Sequence, residues 1–419
     1  MKITSIRAHE ILASGGYPTL EVEVTLDTGE VGVASVPYGA SAGSHEASVL
    51  VDEDAHRYDG KGMLKAVDNV LTKIAPMLMG QDANEQKHID QLMIDADGTP
   101  QKTIFGGNTI LAVSLAVARA GAMAKKQPLY RHLAEVFQTG VDFSVLPKPM
   151  VVVIEGGKHA DHTTDLQEYC ITAIADESST KCVQMCLESY HQLAKVLKQH
   201  HLSTNVGNEG AFAPNGIVSN EAPFQFILQA IEEAGYTAGK DLGISIDAAA
   251  SEFYKDGKYQ LSIENSSLDA AALITYYESW LQRYPIVSIE DMLHEDDWEN
   301  WVKLKQVSDK YHVPLIGDDL TVTNIERLQK AIDMNAISAI LIKLNQIGTV
   351  SETVQCCLLA RDHGMMSVPS HRGGGETNDT AMVDLAVAVG GKFIKVGPTR
   401  GERVEKYNRL MEIERELQQ

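Results

Sequence analysis

Gly243-Ile-Ser-Ile-Asp247 and Pro285-Ile-Val-Ser-Ile-Glu290 share one grammar: a short apolar run, bounded by Gly or Pro, that stops on a carboxylate. Runs of that length read as buried strands. The pattern returns at Pro314-Leu-Ile-Gly-Asp318, Ile340-Leu-Ile-Lys343, Ser367-Val-Pro-Ser-His371 and Lys392-Phe-Ile-Lys395. Successive terminal residues lie 24 to 43 positions apart, enough chain for a strand, a helix and two loops. In a β/α barrel, side chains at the C-terminal ends of parallel strands converge on one pocket. The series of three acids, Lys, His and Lys therefore predicts an α/β barrel enzyme.

Upstream the pattern differs. Residues 3 to 36 alternate apolar and polar, as in Leu20-Glu-Val-Glu-Val-Thr-Leu26, with a turn at Asp27-Thr-Gly29. This predicts an antiparallel meander. From about Gly62 to Ala134 the apolar period becomes helical. The expected organisation is an N-terminal α+β domain over residues 1–139 and a C-terminal eight-stranded α/β barrel over 140–419, with the proline-bearing Val145 to Met150 segment at the entry to the barrel. A hydrophobic content of 44 % in 419 residues suits two such cores.

A formal charge of −21 opposes a nucleic-acid or anionic-membrane partner, and no Lys/Arg block offsets it. The N-terminus lacks the apolar stretch of a signal peptide, and no apolar run reaches the roughly 20 residues of a bilayer span. Cytoplasmic residence is the expectation. The five cysteines, at 170, 182, 186, 356 and 357, contain no C-x-x-C pair and read as buried thiols.

Asp247, Glu290 and Asp318 form a hard, oxygen-rich donor set suited to Mg²⁺, with coordination positions left for substrate oxygens. A single strand-end Asp also serves as a helix N-cap, but three in series point to a cation. Lys343 follows on the same rim, and desolvation beside a dication favours its neutral form, a general base. Glu209, in a glycine-flanked loop, and Glu168, ahead of an apolar run, are both candidates for the general acid. A base, an acid and a cation describe proton abstraction α to a carboxylate followed by loss of a leaving group, a β-elimination.

Longer motifs extend this reading: PxGASxG at Pro37 to Gly43, GGxHA at Gly156 to Ala160, ASEFYKDGKY at Ala250 to Tyr259, PIVSIED at Pro285 to Asp291, GDDLxVTN at Gly317 to Asn324 and IKLNQIGT at Ile342 to Thr349. With them the chain resembles the enolase family over essentially its whole length. The resemblance implies that Asp247, Glu290 and Asp318 hold one Mg²⁺ and that Ser41 helps hold a second. It implies Lys343 as base, Glu209 as acid with Glu168 and Gln167 beside it, and His159 as a lid-loop histidine. It implies further that His371 belongs to the catalytic set, and that Arg372, Gly373 and Lys395 bind the anionic groups of a small phosphorylated substrate. The implied reaction is conversion of 2-phosphoglycerate to phosphoenolpyruvate and water, in a homodimer or an octamer of dimers, with a secondary cell-surface or secreted pool.

The chain departs from the family pattern near these parts. SHRSGET becomes Ser370-His-Arg-Gly-Gly-Gly-Glu-Thr377, so Gly373 replaces a phosphate-binding serine and one residue is inserted. A shortening after Lys395 is expected to compensate in space. VGDEGG becomes Val206-Gly-Asn-Glu-Gly-Ala211, and NIINGG becomes Val152-Val-Ile-Glu-Gly-Gly157, which places Glu155 near the lid. The dimer contact that the resemblance implies is expected to be rewired to Glu21 with Arg415. These changes keep two alternatives in view: elimination on another phosphorylated or phosphonate hydroxy acid, and a noncatalytic binding paralogue.

Overall fold

The computed structural model describes residues 1–39, 43–161 and 163–419. Strands β1 (Ile3–Leu12), β2 (Pro18–Leu26) and β3 (Val31–Ser35) form the expected meander. Its apolar face covers the helix Gly107–Ala124, and the contact is tight: a β-carbon on Gly32 would lie 2.1 Å from the Ala116 carbonyl oxygen. That helix, 18 residues long, is apolar enough to cross a membrane by length and composition alone. It is 83 % buried within the domain, which is the position of a core helix. A two-residue strand, β4 (Tyr38–Gly39), ends this region's sheet structure.

Strands β5 (Lys148–Glu155), β6 (Glu168–Ala173) and β7 (Leu242–Asp247) begin the barrel. A small antiparallel sheet, β8 (Tyr254–Lys255), β9 (Lys258–Leu261) and β10 (Ser266–Leu268), follows β7. The barrel resumes with β11 (Ile286–Glu290), β12 (Leu315–Gly317), β13 (Ala339–Ile342) and β14 (Met366–Pro369). After β15 (Gly374–Gly375), which pairs with β4, β16 (Phe393–Val396) completes it. The order is β14-β13-β12-β11-β7-β6-β5-β16, and a Ser370–Lys395 bridge joins the two ends.

The eight-stranded barrel is the expected one, and within it one strand departs from the parallel direction: β6 runs antiparallel to both β5 and β7. The β5–β6 connection is a hairpin loop, not a helical crossover, so it stays at one end of the barrel. Two helices, Ser179–Gln199 and Ala222–Glu233, then carry the chain back to β7. Ser178, Asp269, Asn324 and Thr349 cap outer helices by accepting backbone N–H groups. Capping therefore does not fall to Asp247, Glu290 or Asp318. The barrel interior below the rim is filled by Met150, Val152, Cys170, Ile316, Leu341, Val368 and Phe393 among others, with one buried hydroxyl chain in which Ser245 bonds to Thr172 at 2.7 Å and to Ser288 at 2.8 Å. All five cysteines are free and buried.

Candidate active site

The reversal of β6 explains how a residue that starts a strand joins residues that end strands. Glu155 pairs in register with Glu168, Glu168 with Asp247, and Asp247 with Glu290. Four carboxylates thus stand in one row across β5, β6, β7 and β11, each 3 % exposed or less. Like charges opposite one another on neighbouring strands repel. Burial, with Asp247 next to it, pushes the Glu290 carboxyl well above its usual range. A cation in the row is the physical remedy.

Lys395 supplies part of it. Its Nζ lies 2.8 Å from Glu168 Oε2, 3.0 Å from Asp247 Oδ2 and 2.7 Å from Glu290 Oε1. Beyond the end of the row, Asp318 pairs with Lys343 and accepts Gln346 Nε2 at 2.8 Å. Asp291, which the sequence reading did not single out as a site residue, takes the backbone N–H groups of Asp318 and Asp319 at 2.9 and 2.7 Å. Carboxylate oxygens of Asp291, Asp318 and Asp319 lie within 4.8 Å of one another. This surplus of buried carboxylates over ammonium groups, all oxygen donors, fits a hard divalent cation such as Mg²⁺. Ser41 lies outside the described residues.

Lys343 differs from its expected neutral form. Burial draws its pKa down, but the adjacent Asp318 carboxylate outweighs that and holds the ammonium charged, with a pKa above the ordinary value. The strand that carries it, β13, stands four places from β6 in the eight-strand ring, so Lys343 faces Glu168 across the mouth.

On the β6 side His159 is buried in the mouth. His159, 5 % exposed, sets Nδ1 3.2 Å from Glu168 Oε1 and 3.3 Å from Glu209 Oε1. Burial opposes its charge, yet the Glu209 and Glu168 carboxylates raise its pKa to about 9. Glu209 is buried, and against that burial His371, whose Nε2 is 3.4 Å from Oε2, and His159 draw its pKa well below the usual range. Gln167 donates to Asp247 Oδ2 at 3.3 Å. Glu155 reaches under the same loop, accepting N–H from Glu209 at 3.2 Å and from Ala211 at 3.0 Å. Its burial, reinforced by the Glu209 charge, raises its pKa to about 8.

In the segment after His371, Gly374 and Gly375 form a ladder with Gly39 and Tyr38, so the glycine run joins the barrel side to the N-terminal domain through a strand pair. Arg372 Nη1 contacts both Glu46 oxygens at 3.0 Å, and its guanidinium fills the space where a side chain on Gly39 would sit. Glu46 and Arg403, which donates to His371 Nδ1 at 3.2 Å, were not visible in the sequence because their partners lie 326 and 32 residues away.

Family models match both regions: the enolase N-terminal domain over residues 3–133 and the enolase C-terminal TIM barrel domain over residues 143–419. Together with the carboxylate row, the facing lysine and the histidine-bound glutamate, these matches show that the chain belongs to the enolase family, as a lyase of that superfamily.

Proposed function

We propose that the protein converts 2-phosphoglycerate to phosphoenolpyruvate and water with two Mg²⁺ ions. The observation that carries this reading is the placement of Lys343 and the Glu168–Glu209–His159 corner on opposite sides of a carboxylate-lined mouth. Asp247, Glu290 and Asp318 would hold one ion, and Ser41 would contribute to the second; bound Mg²⁺ supplies charge stabilisation for the carboxylate end of the substrate. Lys343 would take the proton α to that carboxylate, a role that requires release of its ion pair with Asp318. Glu209 and the imidazolium of His159 stand together where a leaving hydroxyl is to be protonated, and His159 holds the proton at Nδ1. Lys395 and Arg372 neutralise the two anionic ends of the substrate.

Gly373 and the Arg372–Glu46 pair favour a second reading, in which the same elimination acts on another phosphorylated or phosphonate hydroxy acid. The test is phosphoenolpyruvate formation from 2-phosphoglycerate with Mg²⁺ and with EDTA. Metal-dependent turnover lost in Lys343→Ala supports the first reading. A folded, Mg²⁺-binding protein inert toward 2-phosphoglycerate supports the second, and one that binds no Mg²⁺ overturns both.

A further inference from the structure

Arg403 is fully buried near the head of the helix Gly401–Leu417, with its guanidinium turned into the barrel mouth. Nε donates to His371 Nδ1 at 3.2 Å, Nη2 donates to the Arg372 carbonyl at 3.3 Å, and Nη1 pairs with Glu402. Gly397 permits this approach: a β-carbon there would lie 2.7 Å from Arg403 Cδ and 2.3 Å from the Glu209 carbonyl oxygen. A guanidinium has only donors and keeps its proton in proteins. Nδ1 of His371 must then offer a lone pair, and the ring proton sits on Nε2, the nitrogen facing Glu209 Oε2 at 3.4 Å. Protonating Nδ1 as well would set one N–H against another and place two cations in contact.

We propose that Arg403 is a positioning residue that fixes the ring proton of His371 on Nε2, the side of Glu209, and leaves Nδ1 as an acceptor, which removes Nδ1 as a second acid or base. The identity of the nitrogen that carries the proton is set, as in other histidine sites, by the partner of the opposite nitrogen. The charged groups facing the ring come from three elements: Glu209 from its loop, Glu376 from the segment after β15, and Arg403 from the C-terminal helix. Lys406, on that same helix, pairs with Glu376 at 3.3 Å. Nδ1 thus meets a donor and Nε2 meets a carboxylate, so each end of the ring has its complement.

The test is a long-range proton–nitrogen correlation spectrum of the full-length protein labelled with ¹⁵N-histidine, with His371 assigned through His371→Asn. The expected pattern is Nε2–H with unprotonated Nδ1. Arg403→Leu should let Nδ1 take a proton, and Arg403→Lys, which keeps a donor, should retain the original pattern. A wild-type ring protonated on Nδ1 overturns the proposal, as does an unchanged pattern in Arg403→Leu. If the leucine variant fails to fold, the wild-type spectrum alone decides. A kinetic arm rests on the elimination reading: kcat should fall about tenfold or more in Arg403→Leu without a matching rise in KM, and recover in Arg403→Lys. The spectrum is indifferent to the substrate, so failure of the tautomer assignment and failure of that reading are told apart.

Discussion

Gly373 and His159 compete for the same space: a β-carbon built on Gly373 would lie 2.6 Å from His159 Nε2 and 2.7 Å from Glu209 Oε1. The absence of a side chain at Gly373 is what lets the imidazole rest between Glu168 and Glu209.

Restoring a side chain at that position should therefore act through the histidine. Gly373→Ala is expected to lower kcat in the wild-type background and to cost much less in a His159→Ala background. A double-mutant cycle should give a coupling of about 1 kcal/mol, within the range for residues in contact. Additive effects would mean that the glycine serves the backbone alone.

Glu155 should make stability fall toward alkaline pH. Its folded pKa, about 8, is raised above the ordinary carboxylate value, so the folded state keeps a proton that the unfolded chain has released. The stabilisation is complete below the unfolded pKa and is lost as pH rises through about 8. Glu155→Gln keeps an acceptor for the Glu209 and Ala211 amides without a charge to bury. Thermal unfolding of that variant should match wild type near pH 5 and show a higher midpoint at pH 9, with an unfolding free energy greater by on the order of 2 kcal/mol.

His132 should weaken the N-terminal domain on the acid side. It is 1 % exposed, both ring nitrogens lack a hydrogen-bond partner among the described residues, and burial lowers its pKa to about 4. The unfolded chain takes up a proton near the ordinary imidazole value while the folded domain does not, so stability declines as pH falls toward about 4. His132→Leu removes the buried polar atoms. We expect it to stabilise the protein by about 1 kcal/mol at neutral pH and by more near pH 5, measured by urea unfolding.

Glu21 lies in β2 with His9 opposite it on β1 and Ser35 on β3, while Arg415 occupies the last turn of the C-terminal helix. We propose that Glu21 and Arg415 meet across a dimer. Glu21→Lys should shift sedimentation toward the monomer, and adding Arg415→Glu should restore the dimer. A Glu21→Lys protein that sediments as wild type would remove this contact from consideration.

The strand-end residues Asp247, Glu290, Asp318, Lys343 and Lys395 were legible because one short stretch holds both the apolar run and the ionisable residue that ends it. Glu168 was legible as a carboxylate but not as a member of the row, since nothing local announces that β6 runs backwards. Gly373 was visible as a missing serine, whereas its service to His159 depends on a loop more than 200 residues earlier. Glu46, Asp291 and Arg403 escaped for a related reason. Each acts by bracing another site residue, and bracing contacts follow tertiary packing, which leaves no periodic trace in the chain.

Both ends of the loop that carries His159 are tied to a single rung of the β5–β6 ladder, Glu155 opposite Glu168. That rung also sets both halves of the acid corner, because Glu155 accepts the amides of Glu209 and Ala211 while Glu168 lies 3.2 Å from His159 Nδ1. A one-residue slip of register there would turn both carboxylates to the opposite faces of their strands and undo the two contacts together.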